Sequence, residues 1–513
     1  QHHAAACVVA LLETLRSIDV VRVTSMAADR TLRLSEKLNY GVGQVAEGLK
    51  NTAFSVLLLF YYNQVLEVSG TLCGLALGIA LLFDAITDPL AGSLSDNWRS
   101  KMGRRHPFMY ASAIPLGVCF YLLFSPPALG EIALFAWLTV FAILTRGAMT
   151  LYHVPHIALG AELTENFEQR TVIVSVRLAF GTLGSIAAVA LAFLVFFAPS
   201  EAFPNGQLNQ AAYSPFALLL SIIMVVTIWL SAWGTRAQIP FLPAPPTIVL
   251  PLSVGRVFGE VRLALENRSF RWLFIGVIII YLMVGTDAAL TLYINTYFWE
   301  LKPLQIFLAS IAAPVGIILG SLFTRAIHAR WSKKHGIIYG TAGWSILQIA
   351  PIVLRLLDTF PANHSSALVW TLVVLKLLQG LVVVQTLASF GSMIADIADQ
   401  HELATGKRQE GIFFGASSFS GKSASGLGTL AAGVALDVID WPAGSRITSA
   451  ADIPAETLFE LGMLFGPIVS GFAVIAVWCM THYDLDRQQH AEILKQLAYR
   501  RAETKGEPQG SDN

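Results

Sequence analysis

FDAITDPLAGSLSDNWRSKMGRRHP, residues 83–107, decides how the rest of the chain is read. Its first part closes a long apolar run in which Asp84 and Asp88 stand four residues apart. Its second part is a burst of Arg99, Lys101, Arg104 and Arg105. On a helix, residues at i and i+4 share a face, with Cβ atoms roughly 6 Å apart. Two acids that close in hydrocarbon cannot both stay ionised without a cation between or beside them. Thr87 adds a hydroxyl oxygen on the adjoining side of the same helix. Carboxylate and hydroxyl oxygens suit a hard monovalent cation, or a proton shared by the pair. The acids therefore read as a cation-coupling site and the loop as a cytoplasmic hinge. The structural alternative is a charge partner for Lys50, Arg177 or Lys422, and both roles can hold in one carrier that alternates between them.

The surrounding composition is that of a polytopic membrane protein. Of 513 residues, 55% are hydrophobic and only 13% charged, with a mean hydropathy of +0.60. A soluble chain usually carries about twice that charged share. Zero formal net charge gives no reason to expect nucleic acid as a partner. The cysteines, Cys7, Cys73, Cys119 and Cys479, lie far apart, and the last three fall in apolar runs, so they read as small core residues. The histidines form no metal-ligand spacing.

Apolar segments of spanning length recur from residue 37 onward. They cover 38–64, 70–95, 107–125, 131–161, 170–198 and 213–235, then 270–299, 304–328, 335–357, 366–396, 410–438 and 456–481. The fold class is thus an all-α membrane protein of twelve helices in two halves, 37–235 and 270–482. Residues 1–36 precede them without a spanning segment, since the apolar patch Cys7–Leu12 falls short of the ~20 residues a bilayer needs. Met26 reads as the natural start, with 1–25 as upstream read-through, or else as an amphipathic extension. A cytoplasmic loop at 236–269 holds five prolines and an interfacial helix, LSVGRVFGEVRLALENRSF, and residues 483–513 form a cytoplasmic tail. Basic residues gather in alternate connections, from Arg30, Arg33 and Lys37 to Arg256, Arg325, Lys333, Lys334, Lys407 and Arg408, while the opposite loops offer little beyond Lys302 and Arg446. That bias puts both termini in the cytoplasm. GSLSDNWRSKMGRRH at 92–106 has a weaker counterpart, GSLFTRAIHARWSKKHG, at 320–336, each after the second helix of its half, as parallel repeats require.

Ionisable residues inside spans are expensive and mark function. Here they are Glu47, Lys50, Asp84, Asp88, Arg146, His153, His156, Arg177, Asp287, Lys376 and Lys422. Lys422 sits among small residues in SFSGKSASGLG, where an ammonium faces the cavity and pairs with an acid. Arg177 offers a fork of donors to an anionic or hydroxyl-rich substrate, or an ion pair near the helix end. His153, beside Tyr152, reads as a cavity-lining residue or as a packed one. There is no G-x-x-x-x-G-K-[ST] loop, no G-x-S-x-G elbow and no H-E-x-x-H, so ATP coupling and enzyme chemistry are disfavoured.

FDAITDP followed by MGRRHP resembles the glycoside–pentoside–hexuronide:cation symporter family of the major facilitator superfamily. KLNYGVG, HVPHIALGAELTE and DIADQHELATGKRQEGIFFG extend the resemblance over residues 37 to about 480. The resemblance implies a monomeric secondary transporter in a cell membrane, a bacterial inner membrane, with sodium or a proton as coupling ion and no cofactor. By position it gives Asp84 and Asp88 the cation site, with sodium as the metal if sodium couples. Thr87 falls where the family often has an Asn ligand, and Thr150 matches a Thr that completes the site. Lys422 matches the lysine between cation and substrate, and Arg177 the sugar-site arginine. The chain departs from the family's melibiose carriers where Gly48 and His153 stand for sugar-clamping aspartates and Ile157 for the stacking aromatic.

The expectation that follows is cation-coupled symport of a small sugar-type solute by alternating access. Lys50, Tyr152, His153, Arg177 and Lys422 line the substrate site, and their charge favours an acidic glycoside or hexuronide. A lysolipid or other amphiphile is the alternative substrate, and a channel and a membrane enzyme are the other classes. Arg104 and Arg105, with Asp96 as local partner, form the gating loop.

Overall fold

The computed structural model describes residues 32–164, 166–242, 259, 262, 264–406, 410–444 and 447–506. The N-terminal segment before residue 32, most of the expected interfacial helix, and Arg256, Lys407, Arg408 and Arg446 lie outside these residues. The first half contains α1 (34–65), α2 (Gly70–Asn97), α3 (His106–Leu123), α4 (Glu131–Glu162), α5 (167–196) and α6 (Gln210–Thr235). The second contains α7 (Arg268–Phe298), α8 (Pro303–Arg330), α9 (Lys333–Leu356), α10 (Ser366–Thr405), α11 (Glu410–Val438) and α12 (Ala455–Thr481). Ten of these are long and apolar enough to span a membrane as single segments. The other two are α1, divided by wide π-helical turns at Ala53–Leu57 and Tyr61–Val65, and the Gly- and Ser-rich α11. The expected twelve-helix, two-half architecture is what forms. A further helix, α13 (Arg487–Gly506), follows in the tail.

Packing shows the repeat directly. In the first half α1 packs on α5 and α6, α2 on α4, and α3 on α4 and α6. In the second half α7 packs on α11 and α12, α8 on α10, and α9 on α10 and α12. Adding six to each index converts one set into the other. The halves meet most closely where α2 crosses α11. That crossing depends on Gly433, where a Cβ would collide with the carbonyl oxygen of Gly70. Apolar attraction between helices is weak in lipid, so such close backbone approach and interhelical hydrogen bonds hold the bundle.

Hydrogen bonds joining the halves gather at the end away from the termini. Tyr293 Oη donates to Asn63 Oδ1 at 2.8 Å, Trp441 Nε1 to Gln64 Oε1 at 2.8 Å, and Gln207 Nε2 to Thr296 Oγ1 at 3.1 Å. Asp437, at the end of α11, accepts from Ser69 Oγ (2.6 Å) and from the backbone N–H of Gly70 (2.8 Å) and Thr71 (2.9 Å) at the start of α2. The molecule is therefore closed at that end.

Candidate functional site

Below this seal a cavity of about 430 Å³ lies between the halves, with Glu47, Lys50, Phe54, Asp84, Arg146, Tyr281 and Lys422 on its wall. The helical period brings its polar groups together. Asp84 and Asp88 occupy one face of α2, and Arg146 and Thr150, also four apart, occupy the facing side of α4. Thr150 Oγ1 lies 2.7 Å from Asp84 Oδ1 and 2.9 Å from Asp88 Oδ1. Arg146 Nη1 donates to Asp84 Oδ2 at 3.2 Å. From the other half, Lys422 Nζ reaches the same Asp84 oxygen at 3.2 Å and pairs closely with Asp88. Two carboxylates thus meet two cations, and the cluster is neutral. Asp84 is only 6% exposed, so this neutrality is what makes its burial tolerable.

Aromatic support comes from α1. The first π-helical turn of α1 carries Phe54, and the Arg146 guanidinium carbon lies 4.9 Å from the centre of its ring. Lys50 Nζ stands 6.0 Å from the same centre. Lys50 is buried on the cavity wall with no ion-pair partner among the described residues.

The remaining expected site residues divide. Thr87 turns its hydroxyl to the Asp84 main-chain oxygen at 3.3 Å, so it lends nothing to the carboxylates in this state. His153 pairs with Glu47, and Gln44 Nε2 lies 3.2 Å from His153 Nε2, so the imidazole is held at the α1–α4 contact. Tyr152 is fully buried against Gly43, stacked at 5.1 Å on His156, away from the cavity wall. Arg177 is half-buried, off the cavity wall, and without an ion pair among the described residues. Arg105 Nη2 meets Asp96 Oδ1 at 2.5 Å and Glu162 Oε1 at 2.6 Å, and Arg104 Nη2 meets Glu162 at 2.9 Å. In the second half Lys333 Nζ holds both Asp396 oxygens at 2.7 Å. These contacts tie the α2–α3 loop to α2 and the end of α4, and the start of α9 to α10, each within one half; they do not bridge the halves.

Arg146 is the residue whose role sequence reasoning missed. It was visible as an intramembrane cation, and its spacing of four before Thr150 placed it on the same face.

The chain matches the model of the MFS/sugar transport proteins over residues 39–487. It belongs to that family. A putative glycoside/cation symporter of Escherichia coli (strain K12), YagG, is 25% identical over 85% of this chain and 88% of its own length. A glucuronide carrier protein homolog of the same organism is 23% identical over 90% of this chain and 95% of its own. The solved nucleoside transporter NupG superposes with a TM-score of 0.57 at 16% identity, covering 88% of this chain and all of NupG, which supports the fold. The relatives are transporters, not enzymes, and the motifs read in the sequence belong to a symporter family within the major facilitator superfamily.

Proposed function

We propose that the protein is a cation-coupled symporter of a sugar-type solute bearing a negative charge, an acidic glycoside or hexuronide, with both termini in the cytoplasm. The observation that carries this reading is Lys422 of α11 paired across the halves with Asp84 and Asp88 of α2. In the ion-free carrier Lys422, together with Arg146, neutralises the acids, so the halves can rock without carrying the charge of the two carboxylates through hydrocarbon. When a coupling ion takes that place, Lys422 is released toward the cavity, where Lys50 already stands without a partner. A loaded cavity then carries excess positive charge, which a carboxylate-bearing solute balances. Two relatives, a putative glycoside/cation symporter and a glucuronide carrier protein homolog, agree in kind.

Uptake into proteoliposomes tests the proposal with a panel of uronides and matched neutral sugars, under imposed sodium, lithium and pH gradients. Uronides should compete for uptake and neutral sugars should not; the opposite ranking removes the acidic-substrate reading. Asp88→Asn should abolish the response to every gradient while exchange of substrate persists. Unchanged coupling in that variant would show that the ion binds elsewhere. Recovery of unmodified solute inside the vesicles excludes an enzyme, and counterflow without net current excludes a channel.

A further inference from the structure

Sodium is one of the coupling ions that the family resemblance implies, and the residues present do not fit it. A hard cation gathers about six oxygens. The side-chain oxygens here are two from Asp84, two from Asp88 and one from Thr150. Thr87 donates its hydroxyl hydrogen to the Asp84 main-chain oxygen and keeps its lone pairs, so the count of oxygens does not decide against sodium; the charge beside them does. One Asp84 oxygen is already held by Arg146, a group that does not lose its charge at physiological pH.

The two cations at the site differ in one decisive respect. Lys422 belongs to the second half and can be carried away when the halves rock. Arg146 sits on α4, which packs against α2 within the first half, so it travels with Asp84 through the whole cycle. Its guanidinium is further fixed over Phe54 of α1, also in the first half. A metal ion entering after Lys422 departs would still meet a buried guanidinium at Asp84, and the two would repel. We propose that Arg146 stands where a metal ion would at Asp84, so that the site admits neither sodium nor lithium and leaves the coupling charge to a proton. This rests on the symport reading above and assigns its ion.

The charges balance with one proton. Asp84 and Asp88 against Arg146 and Lys422 sum to zero in the empty carrier. When a hydronium ion from the aqueous side gives its proton to an Asp88 oxygen and leaves as water, Lys422 keeps its own proton and is freed as an ammonium. Asp84 then remains balanced by Arg146. Lys50, on α1, is the other charged group on this wall; Glu47 is committed to His153.

The first test uses the ions alone on the purified full-length protein. Thermal melting is followed in sodium or lithium chloride against choline chloride at equal ionic strength. The wild type should show no saturable shift, and Arg146→Ala should acquire one that Asp88→Asn removes again. The second test needs no variant: uptake of radiolabelled methyl glucuronide, or of whichever panel solute is transported, into proteoliposomes. An inward proton gradient of one pH unit should give about tenfold accumulation, and an equal sodium gradient at clamped pH none. A saturable sodium shift in the wild type, or sodium-driven accumulation, overturns this inference alone. A carrier that exchanges solute yet answers neither gradient overturns the symport reading and this inference with it.

Discussion

Lys50 shows at a single residue how function and stability pull apart. It is a buried ammonium, 4% exposed, with no carboxylate paired to it among the described residues. A buried charge without a partner is destabilising, and an apolar side chain of similar length removes the penalty. Lys50→Met should therefore raise the melting temperature, by the equivalent of roughly 1 kcal/mol. It should also weaken uronide uptake about 10–100-fold, the value of a charge-assisted hydrogen bond. A variant that melts lower, or that loses all solutes equally, would make Lys50 a packing residue. Thr150 poses a related constraint: its hydroxyl has one hydrogen but lies near both acids. The second contact is a hydrogen bond only when a carboxyl carries the hydrogen. At this scale the sequence was legible where the signal is local. The four-residue spacing of Asp84 and Asp88 shows in one helix, and their need for a counter-charge follows from burial. Which cation meets them depends on helices 62 and 338 residues away in the chain, so Arg146 could be seen but not assigned.

Among the elements, α2 is capped by a residue of another helix. The first N–H groups of a helix lack intrahelical acceptors, and the helix dipole favours a negative group there. For α2 that group is Asp437, delivered from the end of α11 across the boundary between halves. Replacing a capping residue by Ala costs about 1 kcal/mol. Because this cap exists only while the halves are closed at that end, the cost falls on the closed state. Asp437→Ala should shift the equilibrium about fivefold toward the opposite opening. The readout is the rate at which an impermeant maleimide, added from the side away from the termini, labels Ala288→Cys on the cavity wall in a background without native thiols. An unchanged rate would mean that the hydrogen bonds and ring contacts of Trp441 and Tyr293 hold the closure without Asp437. Sequence periodicity gave the helices of this bundle but not this contact, because an Asp at the end of an apolar run looks the same whether it meets water or a neighbouring helix. The wide turns of α1 were equally hidden, since a π-helical turn leaves no break in hydropathy.

For the whole molecule, the matching helix contacts in the two halves make rocking about their boundary the natural motion, and charge at the midplane sets its cost. The sequence already carried the repeat in its two basic loops, yet it could not show that each loop is tied within its own half. The groups that bridge the halves at mid-depth therefore govern the return of the empty carrier. With Lys422→Met the cluster that was neutral keeps Asp84 and Asp88 with Arg146 as their one ion-paired cation, Lys50 standing on the same wall outside ion-pair distance, and the site is one positive charge short of its resting balance. Carrying a net charge through the bilayer centre costs roughly 2.5–3.5 kcal/mol, about a hundredfold in rate. The variant can still move when a coupling ion and solute are bound, so exchange between labelled and unlabelled solute should continue while net uptake falls about a hundredfold. Adding Asp88→Asn to Lys422→Met returns the empty site to neutrality. The double variant should then equilibrate solute across the membrane in either direction, with no accumulation under any gradient. If it stays as slow as Lys422→Met, the lysine acts through contact with solute or neighbouring helices, and charge balance does not control the motion.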